Sequence, residues 1–127
     1  MANRNYGNQN HSNLQAPVRI NFQWTENAGV ALQVVRGRHV TSVTRTGAGL
    51  YSVVFADNFT QLYAVSGIVV GAAANLDLYV QVAAYNAVAA GGATLDLRLK
   101  TGAANADPAL NDEVFIETVW SNSYLNP

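Results

Sequence analysis

Val40 to Phe55 reads VTSVTRTGAGLYSVVF. Two runs of β-branched and aromatic residues flank Thr46-Gly47-Ala48-Gly49. Such runs fit a pleated, half-buried surface, and glycines supply the positive φ angles of a tight hairpin. The pattern predicts strands over His39–Arg45 and Leu50–Ala56, joined by a hairpin.

Working outward, the same period recurs. Val18, Ile20, Phe22 and Trp24 alternate with Arg19, Asn21 and Gln23, the signature of a strand with one buried face. Further strands are predicted over Val30–Val35, Gln61–Val70 (with a break at Gly67), Leu76–Tyr85, Ala93–Thr101 and Glu113–Trp120. In Ala93–Thr101, Leu95, Leu97 and Leu99 oppose Asp96, Arg98 and Lys100. Alanine richness over Ala83–Ala90 leaves a short helix open there. About eight strands with loop-length connections predict a sandwich or jelly roll.

Ahead of this body stands MANRNYGNQNHSNLQ, in which Met1, Tyr6 and Leu14 are the bulky apolar groups. Such a head cannot bury enough apolar surface to offset the entropy of ordering it. The division expected is an extended polar N-terminal arm over 1–16 and a single β-sandwich domain over 17–127. The arm should be ordered by another protein surface. Arg4, Tyr6, His11 and Leu14 are its expected anchors, since tyrosine and arginine are enriched at interface hot spots.

Composition narrows the function. Charged residues are 12% of the chain and hydrophobic residues 50%, against roughly 25% charged in typical domains. Weak colloidal protection of this kind favours oligomers. Net charge is −1. The one basic cluster, Arg36, Arg38 and Arg45 beside His39, lacks the footprint of a nucleic-acid binder. Arg36 and Arg38 are read as interface donors. With no cysteine, disulfides and thiolate metal sites are excluded. The N-terminus lacks the basic-then-apolar order of a secretory signal, and no apolar run approaches the length of a membrane span. Synthesis in the cytosol, without a membrane partner, is the expectation.

Residue-level chemistry is sparse. His11 and His39 have no nucleophile or metal partner at a recognisable spacing. Asp107 to Glu113, DPALNDE, gathers oxygen ligands but lacks the order of a calcium loop and is read as a turn. No phosphate loop or nucleophile elbow occurs. No catalytic residue, cofactor or metal is expected, and the chain is read as a non-enzyme. An enzyme would need two carboxylates, or His39 and a carboxylate, to converge. Phe22, Trp24, Phe55, Phe115 and Trp120 are expected to fill the core. Trp120, near the chain's end, is the one most suited to an interface.

The rhythm of Val40, Val43, Thr44, Arg45, Thr46, Gly47, Gly49, Tyr51, Val53 and Phe55 resembles a strand–hairpin–strand element of tailed-phage structural proteins, among them capsid decoration (cement) proteins and fibre or tail modules. The quoted stretch is 16 of the 127 residues. The resemblance implies a virion structural protein that binds the major capsid protein on the capsid surface. It also implies self-association, with a homotrimer favoured and a homodimer second. The alternative is a carbohydrate- or receptor-binding module of a tail or fibre, using Trp24, Trp120 or Tyr85 if these are exposed.

Overall fold

A computed structural model describes residues 17–27, 30–71 and 77–121. The arm over 1–16, with Arg4, Tyr6, His11 and Leu14, lies outside the described residues. Nine strands run in the order β1 (Pro17–Thr25), β2 (Val34–Arg36), β3 (Val40–Gly47), β4 (Leu50–Phe55), β5 (Gln61–Val70), β6 (Tyr79–Asn86), β7 (Thr94–Thr101), β8 (Ala104–Asn105) and β9 (Glu113–Ser121). They form two antiparallel sheets, β2-β1-β9-β5 and β3-β4-β7-β6, with β8 added to β7. The chain is an all-β sandwich. Among the described residues no helix is long and apolar enough to cross a membrane.

The period-two faces decide the core. Ile20, Phe22 and Trp24 of β1 and Val114, Ile116 and Trp120 of β9 point inward. They meet Tyr51, Val53 and Phe55 of β4 and Leu95, Leu97 and Leu99 of β7. All are buried. Phe115 departs from expectation: alternation with Val114 and Ile116 turns its ring outward. Thr118 takes a buried inner position instead. Its Oγ1 donates to Ile20 O at 3.0 Å and accepts from Trp120 Nε1 at 3.0 Å, so both polar groups are satisfied without water.

Three segments differ from the sequence reading. Only Val34–Arg36 of the run Val30–Val35 is a strand, because the chain there crosses between sheets. Leu32 bridges Thr44, and Gln33 N donates to Val43 O, so this segment pairs with the free side of β3. β5 runs unbroken through Gly67, and its irregularity falls at Leu62/Ala64. A Cβ on Gly67 would stand 2.6 Å from Ile116 Cδ1, so glycine lets β5 close over β9 without ending the strand. Ala83 to Asn86 stays extended, with a bulge between Val82 and Ala84. Pairing with β7 there overrides alanine's helix propensity.

The hairpin forms as read, with Gly47 opposite Leu50. Only one glycine of the pair is conformationally required. Gly49 sits at φ 68°, and a Cβ there would lie 2.6 Å from Ala106 N and Leu99 O. Gly91 faces open space. Gly49→Ala should cost at least about 2 kcal/mol, through backbone strain plus the clash. Gly91→Ala should stay within about 0.5 kcal/mol of the parent. Urea unfolding of both variants checks the contrast.

Candidate interaction surface

The densest titratable cluster lies at one end of the sandwich. Glu26 follows β1 and is 1% exposed. Its backbone is fixed on both sides: Glu26 N donates to Asp112 O, and Asn111 N donates to Glu26 O. Tyr51 Oη lies 2.8 Å from Glu26 Oε1 and 3.1 Å from Asp107 Oδ1. Asp107 in turn accepts from Arg45 Nη2 at 2.8 Å, from Arg45 Nε at 3.1 Å and from Gly49 N at 2.7 Å. Trp24 Nε1 donates to Glu26 Oε1 at 3.4 Å. Two carboxylates therefore converge, as an enzyme would require, and sequence spacing did not signal it.

One phenol proton cannot serve two carboxylates. Burial pushes the Glu26 carboxyl up from its ordinary value, and its Oε2 meets no donor. Burial also opposes ionisation of Asp107, but the Arg45 and Gly49 donors outweigh it and hold that carboxyl low. The Tyr51 hydroxyl faces both carboxyls, at Glu26 Oε1 and Asp107 Oδ1, while Arg45 and Gly49 donate to Asp107. Burial and the two carboxylates push the Tyr51 phenol far up. Sealed under Trp24 and Tyr51, Glu26 offers nothing to a substrate. The cluster acts as a clamp joining the end of β1, the β3–β4 hairpin and the loop before β9.

The other expected residues scatter. Arg45 is engaged with Asp107, so the three arginines do not form one patch. Arg36 and Arg38 are exposed on β2 and in the turn after it. Trp120 is wholly buried and stacked on Phe59 at 4.7 Å. That corrects its reading as an interface residue: the inward face of β9 carries it under the other sheet. Trp24 is buried too, while Tyr85 stays 45% exposed and packs edge-on to Trp120. His39 and Asp57 line a shallow recess with Arg19 and Asn58. Among the described residues no cluster of three His, Cys, Asp or Glu could hold a metal.

The surface sequence reading missed is one side of the sandwich. A sheet edge exposes unpaired backbone groups, and stable monomers shorten, cover or charge it. The β2/β3 side is managed in all three ways. β2 has three residues, Ala31–Gln33 covers part of β3, and Arg36, Arg38 and His39 stand there. Among the described residues the β5/β6 side has none of these, though each strand carries a bulge, at Leu62/Ala64 and Val82/Ala84. Its strands have ten and eight residues, contain no charge and no proline, and pair on one side only among the described residues. Tyr63, Ile68 and Val70 of β5 and Tyr79, Val82 and Tyr85 of β6 are exposed. A second feature, a groove of about 530 Å³, crosses the outer face of the β2-β1-β9-β5 sheet. Phe115 lines it with Asn21, Gln23, Arg36, Ser66 and Glu117.

The chain matches no protein-family model, no curated protein and no solved structure with which it was compared. Functional argument therefore rests on these surfaces.

The clamp has a pH signature. Glu26's folded pKa lies above its unfolded value, so its contribution is full below the ordinary carboxyl range. It is lost as pH rises through the folded value, by at most about 1.4 kcal/mol per pH unit. Asp107's folded pKa is depressed, so its contribution is present above the ordinary range and lost as pH falls. Glu26→Gln should abolish the loss on the alkaline side and keep the acid limb. Denaturation midpoints from pH 3 to 8 check this, and a parallel pair of curves would refute a raised Glu26 pKa.

Proposed function

We propose that this chain is a virion structural protein that decorates a capsid surface and clamps adjacent capsid subunits. One observation carries the reading furthest: the long, uncharged β5/β6 edge, which pairs on one side only among the described residues and is suited to protein contact. The resemblance of Val40–Phe55 to tailed-phage structural modules supplies the kind of particle. Low charge and the asparagine-rich head agree with a chain that works bound to other proteins. Glu26, Tyr51, Asp107 and Arg45 are tied into the fold, which suits a passive structural part. On this reading the polar head lies along a capsid subunit, and main-chain bonds by strand addition contribute to affinity.

Co-sedimentation with capsid shells that lack the protein tests the proposal. The full chain should bind saturably. A chain beginning at Pro17 should keep the sandwich, since every described strand lies within it, and lose most of the binding. Absence of binding by the full chain would refute decoration.

A second reading has its own support. The groove on the outer sheet face combines an aromatic ring with two amides, a carboxylate and a guanidinium. That set can stack on a sugar ring and hydrogen-bond its hydroxyls. A carbohydrate- or receptor-binding module of a tail or fibre would use Phe115, not the buried tryptophans. A glycan-array signal that disappears in Phe115→Ala would favour this module over decoration.

A further inference from the structure

Two rows of side chains cross the outer face of the β2-β1-β9-β5 sheet. Arg36, Gln23, Phe115 and Ile68 stand opposite one another on the four strands, and Asn21, Glu117 and Ser66 form the adjoining row. Three strand spacings put the ends of the first row about 14 Å apart. These residues line the groove of about 530 Å³, a volume within the roughly 300–1,000 Å³ of small-ligand sites. Phe115 and Ile68 make its apolar half, and Gln23 and Arg36 its polar half. Among the described residues the side chains of Asn21, Gln23, Arg36 and Ser66 have no hydrogen-bond partner. The polar groups of the groove are thus open to a ligand.

Backbone, charge and donor set together select the ligand. The groove is centred on β9, whose residues pair with β1 on one side and β5 on the other along the whole strand. A peptide strand finds no main-chain partner there, so recognition falls to side chains. The charged residues of the four strands are Arg19, Arg36, Glu113 and Glu117, which sum to zero, and Arg19 reaches Glu117 at 3.5 Å. An anion over Phe115 would lie between Glu113 and Glu117 along β9, and a cation would face Arg36 and Arg19. Neither sign gains a net advantage. Two amides, a hydroxyl, a carboxylate and a guanidinium offer both donors and acceptors. Sugar hydroxyls donate and accept at once, and the C–H face of a pyranose ring suits an aromatic face.

We infer that this groove binds a neutral oligosaccharide that crosses the strands from Arg36 to Ile68, with one pyranose ring stacked on Phe115. Gln23, opposite Phe115, and Asn21, diagonal to it, lie at the rim of that ring and hydrogen-bond its hydroxyls. Arg36, one strand further, meets the next sugar along the row. The inference rests on the second reading of function, the tail or fibre module, and narrows it to uncharged glycans held along their length. It needs no capsid, so its failure leaves the decoration reading to its own test.

An array of neutral, sialylated and amino-sugar oligosaccharides probed with the full chain tests it, followed by calorimetric titration with the neutral oligosaccharide of strongest signal. Neutral glycans should bind, and their affinity should hold as ionic strength rises, since no net charge is neutralised. Phe115→Ala should weaken binding at least about tenfold through the lost stacking face. Gln23→Ala and Asn21→Ala should each weaken it about two- to tenfold through lost hydrogen bonds. Gln81→Ala, at an exposed site on the other sheet, should leave it unchanged. Circular dichroism checks that each variant is folded. Preference for charged glycans, or a strong salt dependence, would overturn the inference and leave the module reading standing. Binding indifferent to all three groove variants would overturn it as well. Silence across the whole array would overturn both.

Discussion

Aromatic contacts across the sandwich hold the two sheets to one another. Phe55 of β4 meets Trp120 of β9 edge to face at 5.2 Å and Phe22 of β1 at 5.8 Å, while Trp24 lies 5.1 Å from Tyr51. Each such pair contributes about 0.5–1.5 kcal/mol beyond the area it buries. Much else follows from placing these rings inside. Trp120 brings an indole N–H into the core, and Thr118 is there to accept it. Tyr51 brings a phenol to the end of the core, and a phenol buried against a tryptophan needs partners.

Those partners make the sandwich end rigid. Glu26 after β1, Arg45 and Tyr51 of the β3–β4 hairpin and Asp107 before β9 come from three separate stretches of chain, so no single loop carries the clamp. Its protonation pattern follows from counting: two carboxyls share one phenol proton, and only Asp107 has cationic and backbone donors to hold it ionised. Burial raises the Glu26 carboxyl, one oxygen of which meets no donor among the described residues.

Finite sheets leave edges, and the two sides of this one treat theirs oppositely. Crossing from one sheet to the other, the chain covers β3 with Ala31–Gln33, and this costs the predicted strand Val30–Val35 half its length. At the far side β5 and β6 stay long and pair on one side only among the described residues. Tyr85 closes over Trp120 there while keeping part of its ring in solvent, so the core is continuous with that edge.

By itself the sequence determined the all-β class, the Thr46–Gly49 hairpin and the inward faces of β1, β4 and β7. These depend on local conformational preference and on a period of two, which neighbouring residues carry within one segment. Outward Phe115 was legible by the same alternation, but hydrophobicity argued against it, and only the partner strand's side chains show that Thr118 fills its share of the core. Asp107 read as part of a turn because Arg45 and Tyr51 lie 62 and 56 residues away. The absence of charge in Gln61–Val70 and Tyr79–Asn86 was plain in the chain. Whether that marked buried central strands or bare edges was decided by sheet order alone, because edge status is a property of what lies beside a strand and not of its residues.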